Sequence, residues 1–188
     1  MPLIHRPKQR LPADPACRQI GFTLIELLIT IAIATLLMLV AVPSYVEFQR
    51  NAQLSDAVSN FIAAANTARA NAMKQGLNTY VVPNNTSTGW SSGWMVYADS
   101  NWNQDYDAGT DEVVMRHDAL SVDITLNIPT TNSLTDGYLM FNGSGYPRLK
   151  TGAFGGATIE MSNTSRSSSI IIDPAGRVRS CKTGSTGC

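Results

Sequence analysis

From Gly21 to Val42 the chain reads GFTLIELLITIAIATLLMLVAV, apolar residues and three threonines with one charge among them, that of Glu26. As a helix, Phe22 to Val42 at about 1.5 Å per residue matches the roughly 30 Å hydrocarbon core of a bilayer. Arg6, Lys8, Arg10 and Arg18 precede it with only Asp14 against them. Such a basic flank keeps its end in the cytoplasm and sends the downstream chain outward. A cleaved secretory signal peptide fits less well, because the apolar core is long and a cut after Ala41 would fall beside Pro43.

Glu26 is the anomaly in this segment. A carboxylate inside an apolar helix costs about 2.5–3.5 kcal/mol on insertion scales and calls for a partner. A cut between Gly21 and Phe22 would supply one, since it creates an α-amine near the membrane boundary that Glu26 of a neighbouring copy can neutralise. Gly21-Phe22-Thr23-Leu24-Ile25-Glu26 ahead of an apolar helix resembles the class III signal of type IV prepilins and type II secretion pseudopilins. The resemblance implies removal of residues 1–21 by the prepilin peptidase, N-methylation of Phe22, and Glu26 as the charge that aligns an incoming subunit.

Beyond Val42, Pro43 removes one backbone hydrogen bond, which kinks a helix without ending it. Tyr45, Phe48, Ala52, Val58, Ile62, Ala65, Ala68 and Ala72 keep a helical stripe that needs a sheet to cover it. Lys74 and Gly76 are stop signals, so the spacing predicts a helix over 22–75, roughly 80 Å long. Residues 22–42 would span the membrane and residues 43–75 would pack on a head of residues 76–188.

The head reads as short β-like runs broken by Gly, Asn, Asp and Ser: Thr79 to Val82, Trp94 to Ala98, Glu112 to Arg116, Val122 to Ile128, Tyr138 to Phe141, Ala157 to Met161, Ser169 to Asp173 and Arg177 to Cys181. Their spacing predicts antiparallel sheets and an α+β class. Gly93-Trp94-Met95-Val96-Tyr97 with Asp99 and Asn101, and the closing segment Ile170 to Arg179, resemble the GspH/FimT family of minor pilins and pseudopilins. That resemblance implies a head of two antiparallel sheets packed on the helix. It also implies a single-pass inner-membrane subunit with a periplasmic head that enters a pilus or pseudopilus, with other major and minor pilins and an inner-membrane assembly platform as partners.

Without residues 1–21, ten basic residues face thirteen acidic ones, so no general affinity for nucleic acid is expected. The distribution is uneven. Asp99 to Asp136 holds eight acids against Arg116, whereas Arg148 to Cys188 holds six bases against Glu160 and Asp173, and anion binding is expected only in that last stretch. Cys17 lies in the segment expected to be removed. Cys181 and Cys188 then remain, a pair expected to form a disulfide in an oxidising compartment, with two free thiols as the alternative.

Catalysis finds no support: one histidine comes after the leader, His117, and no nucleophile elbow, zinc-binding His-Glu-x-x-His or phosphate loop is present. His117 reads as a surface strand residue, and no cofactor is expected. Asp99, Asn101, Asn103, Asp105 and Asp107 space like a calcium loop, but Gln104 stands at the turn glycine and Thr110 at the bidentate glutamate, so a solvated acidic loop and no metal are expected.

Asp173-Pro174-Ala175-Gly176 fits a type I turn joining two strands. Arg177 and Arg179 would then project from one face and Val178 from the other. Two guanidiniums there, with Arg148, Lys150, Arg166 and Lys182 as possible neighbours, suit phosphates without base reading. No aromatic residue is interleaved, so stacking of single strands is not expected. Gly176-Arg177-Val178-Arg179 is similar to the GRxR signature of FimT-like minor pilins, which implies DNA contacts through Arg177 and Arg179 in natural transformation. Two alternatives stay open: a solvated Arg-x-Arg strand, and a structural subunit, FimU-like or the H-type pseudopilin of type II secretion, that primes assembly without DNA.

Overall fold

Thr23 sets the start of the first helix, its Oγ1 accepting the Glu26 backbone N–H at 3.3 Å. A threonine three residues ahead of a glutamate is the sequence of a capping box. Helix α1 runs Leu24–Gln75 and continues through Pro43. The structure, a computed structural model, describes residues 21–128 and 133–186. The chain divides between Val42 and Pro43 into two units.

In the first unit every described residue is exposed. The two hydroxyls within this stretch of helix are satisfied locally: Thr30 Oγ1 donates to the Leu27 carbonyl at 2.9 Å and Thr35 Oγ1 to the Ile31 carbonyl at 2.8 Å. Among the side chains of this stretch of helix only that of Glu26 is thus left to oppose an apolar solvent. By length and composition α1 is able to cross a membrane.

In the second unit α1 buries Leu54, Ala57, Val58, Phe61, Ala64, Ala65, Ala68 and Ala72. The stripe read from sequence is right for Val58, Ala65, Ala68 and Ala72, and for Ile62, which is half-buried against the core, and wrong in phase before Val58. Tyr45 and Phe48 are exposed, as is Ala52, and the true anchors Leu54 and Phe61 lie off the expected stripe. The cause is that burial is decided by where the sheets reach the helix, and periodicity alone does not say where covering begins.

Nine strands come after it among the described residues: β1 Thr79–Pro83, β2 Trp94–Ala98, β3 Glu112–His117, β4 Thr125–Asn127, β5 Leu139–Phe141, β6 Pro147–Arg148, β7 Ala157–Ser162, β8 Ser167–Ile172 and β9 Val178–Lys182. They form a five-stranded sheet of order β3-β2-β1-β5-β6 and a four-stranded sheet of order β4-β7-β8-β9. Every strand pairing is antiparallel. The strand expected over 122–128 shrinks to β4, because residues 121–124 close a turn through the Ile124 N–H and the Ser121 carbonyl at 3.0 Å.

One core joins the helix to both sheets, with Val81, Trp94, Val96, Leu139 and Phe141 from the first and Ile159, Met161, Ile170 and Ile172 from the second. Phe61 is its centre on α1, meeting Trp90 and Trp94 edge-on at 5.7 and 5.2 Å. The five-stranded sheet is also covered on its other face, where Tyr80, Met95, Tyr97, Tyr138 and Met140 form a second apolar cluster with Tyr106 against it. This double covering explains why its strands read as continuous apolar runs without alternation.

Candidate functional site

The hairpin joining β8 to β9 closes as its sequence predicts. The Gly176 N–H donates to the Asp173 carbonyl at 2.7 Å, and the Asp173 N–H to the Arg177 carbonyl at 2.9 Å. Gly176 has φ +81°, and a Cβ there would fall 2.4 Å from the Gly145 carbonyl oxygen. It is buried, so its part is to let the tip lie against the neighbouring loop, and its lack of a side chain is what that contact requires.

Arg69 of α1 bolts this tip from below. Its Nη1 donates to the Gly176 carbonyl at 2.7 Å and its Nη2 to the Ala175 carbonyl at 3.4 Å. One faint signal of it is present in the sequence, a base directly beside the buried Ala68 with no acid three or four residues away on the helix.

The two arginines of the candidate grip are unequal. Arg177 is exposed and precedes β9, whereas Arg179 is half-buried within it. Arg179 pairs with Ile171 and Val178 with Ile172. Val178 packs on the core, so strand alternation puts Arg179 on the outward face.

Of the four other bases only Arg148 comes near them. Arg166 and Lys182 line a cavity of about 520 Å³ that runs along β9 from Lys182 to Ser180 and opens at the end of β8 away from the tip. Arg148 and Lys150 belong to the other sheet and the turn after it. The Arg148 guanidinium lies 3.8 Å from the Phe154 ring centroid, and Lys150 Nζ donates to Asp105 Oδ1 at 2.9 Å. Arg148 is nonetheless near the tip through its backbone, for a Cβ on Gly155 would touch Arg148 at 3.2 Å and one on Gly156 would touch Pro174 at 3.5 Å. No aromatic is interleaved in the hairpin itself; Tyr146 and Phe154 belong to a neighbouring loop, whose Gly145 carbonyl lies against Gly176.

The acidic loop is solvated at Asn101, Asn103 and Asp105, which are exposed, but not at its base. Asp99 and Asp111 are buried, and their carboxylates organise it: Asp99 accepts the Asn103 and Gln104 N–H groups at 3.2 and 3.0 Å, and Asp111 those of Ser100 and Asp107 at 2.9 and 2.8 Å. Among the described residues no cluster of His, Cys, Asp and Glu suits a metal. Burial first, and then Asp99, pushes the Tyr80 hydroxyl well above its ordinary pKa; burial, then Tyr80 and Asp99, does the same to Tyr97. His117 stacks on Trp94 at 4.2 Å. Its Nδ1 donates to the Asp118 carbonyl at 2.7 Å, which leaves Nε2 to accept from Asn60 at 3.2 Å, so it ties β3 to α1.

At the other candidate site, Gly21 and Phe22 are exposed and precede α1, and Glu26 is exposed in its first turn. Cys181 lies in β9; Cys188, and with it the expected bridge, lies outside the described residues.

A family model of the type II transport protein GspH matches residues 57–176, and one of the prokaryotic N-terminal methylation motif matches residues 17–42. The first match ends one residue before Arg177. Among solved structures, the chain is similar to the type IV minor pilin FimU of Pseudomonas aeruginosa, with TM-score 0.52 and 17% identity over 70% of this chain and 90% of that one. It is similar also to the minor pseudopilin EpsH from the type 2 secretion system of Vibrio cholerae, with TM-score 0.50 and 10% identity over 71% and 99%. At such identities the likeness is one of fold. No match to a curated protein is found.

Proposed function

The chain belongs to the GspH family and carries the N-terminal methylation motif, and from that premise we propose that it is a minor type IV pilin that holds DNA by its phosphates at the tip of its C-terminal hairpin. The coarser role, a membrane-anchored minor pilin or pseudopilin, comes with the family. In our reading the prepilin peptidase cuts between Gly21 and Phe22, Phe22 is methylated, and Glu26 pairs with the new amine of a neighbouring pilin as the subunit passes from the inner membrane into the filament. Cys181 and Cys188 form a bridge that closes the tail beside the hairpin.

The observation that carries the DNA reading is an exposed Arg177 on a turn whose carbonyls are fixed by Arg69. A guanidinium on a fixed backbone loses less freedom when it takes up a phosphate. The contact serves any sequence, because phosphates position and do not specify. The rival reading, a subunit that only primes assembly, draws on Lys150 being already paired with Asp105.

Two experiments test this. Gel retardation of duplex DNA by the full chain in detergent is expected to weaken strongly in the Arg177→Gln/Arg179→Gln variant, with the log–log salt slope falling by about 2, one per lost phosphate contact; equal retardation by both proteins leaves the priming role alone. Glu26→Gln is expected to leave the melting temperature of the head unchanged and to remove the protein from sheared filaments. Normal incorporation of that variant would contradict the pairing.

A further inference from the structure

Tyr146 and Phe154 stand 42% and 62% exposed on the loop beside the hairpin tip. Their rings meet edge-on with centroids 6.4 Å apart, and Arg148 covers one side of Phe154 at 3.8 Å while its Nη1 donates to the Gly152 carbonyl at 3.1 Å. The support is built in. Asn142 Oδ1 accepts the Tyr146 N–H at 3.0 Å, the Asn142 N–H donates to the Tyr146 carbonyl at 3.0 Å, and the Gly155 N–H donates to the Pro147 carbonyl at 2.9 Å. Rings held in this way have little freedom to lose when something stacks on them.

The position is as telling as the rings. Gly145, next to Tyr146, has its carbonyl against Gly176, next to Arg177; Gly156, two residues from Phe154, approaches Pro174 of the turn. The aromatic pair thus flanks the tip, with Arg148, Arg177 and Arg179 as local cations against Asp173 of the turn. A duplex hides its bases and would meet only the guanidiniums. A single strand offers both a phosphate for a cation and a flat base for a ring, and aromatic faces accept any base.

We propose that Tyr146, Phe154 and Arg148 form a base-stacking platform beside Arg177, so that this head takes single-stranded nucleic acid in preference to duplex. The inference rests on the phosphate grip proposed above and adds to it a second kind of contact.

The test uses the full chain in detergent and fluorescence anisotropy with three probes of equal length: oligothymidylate, an abasic strand with the same backbone, and a duplex. Wild type is expected to bind oligothymidylate about tenfold more tightly than the abasic strand, one stacked base being enough for that. Phe154→Ala is expected to abolish the preference for oligothymidylate over the abasic strand, and Phe154→Tyr to retain it; the exposure of Phe154 makes loss of folding an unsuitable explanation, and an unchanged melting temperature checks this. Equal affinity of wild type for the two strands, a duplex affinity equal to or above that for oligothymidylate, or a preference that survives Phe154→Ala overturns the platform and leaves the phosphate grip standing. Failure to bind any of the three probes overturns both.

Discussion

The same helix is used in two opposite ways. Up to Val42, α1 is apolar on every side and exposed on every side; from Leu54 it is apolar on one stripe, and most of that stripe is buried. A side chain's chemistry therefore says little about its contribution until its surroundings are known. Leu36 is as hydrophobic as Leu54, but it adds nothing to the stability of the head, because the medium that would cover it is lipid or a sister helix. Leu54 and Phe61 have their cover within the chain.

The sharpest way to break this contrast is to cut the packed half. Phe61→Ala removes the ring between Trp90 and Trp94 and is expected to cost about 3–5 kcal/mol, read as a fall in the denaturation midpoint of the full chain in detergent. Arg69→Ala tests whether the packed half also works through polar ties: it deletes two hydrogen bonds from a charged donor to the hairpin tip and is expected to cost about 2 kcal/mol and, on the phosphate grip proposed above, to weaken retention of DNA at unchanged Arg177.

A smaller effect concerns the sheet face that no helix covers. Tyr80 and Tyr97 have pKa values raised by burial, above the unfolded value of about 10. The folded state then holds protons that the unfolded state gives up. The stabilisation is complete below about pH 10 and is lost as pH rises towards the folded values. A pH series of melting temperatures is expected to turn downward there, and Tyr80→Phe/Tyr97→Phe is expected to flatten the descent. The smallest effect sharpens the comparison from the other side. Leu36→Ala is expected to shift head stability by no more than about 0.5 kcal/mol, and a shift comparable with that of Phe61→Ala would contradict the division of labour.

What could be read from the chain was local. The stop at Lys74 and Gly76 and the Asp173 to Gly176 turn each lie within a few consecutive residues, and each is where the sequence puts it; the Thr23 cap, equally local, moves the helix start from the expected residue 22 to Leu24. The GspH-like run at Gly93 falls likewise on β2, within the first sheet. What escaped depended on residues far apart. The phase of the helical stripe is set by sheets beginning at residue 79, and Asp99 reads as a solvated acid in the sequence because its amide partners belong to the fold of its own loop. Arg69 and Gly176 are 107 residues apart. Tyr146 and Phe154 carry no mark in sequence that points to a turn some twenty residues further on. A two-residue strand such as β6 is below what composition can register.

The oxygen that opens α1 belongs to Thr23, two positions downstream of Gly21. Trimming the chain at Gly21 would therefore leave the first turn's wiring in place. The proposed cut would, on this arrangement, rewrite the polarity of the end, from a tethered peptide to a bare cation, without asking the helix to fold a second time.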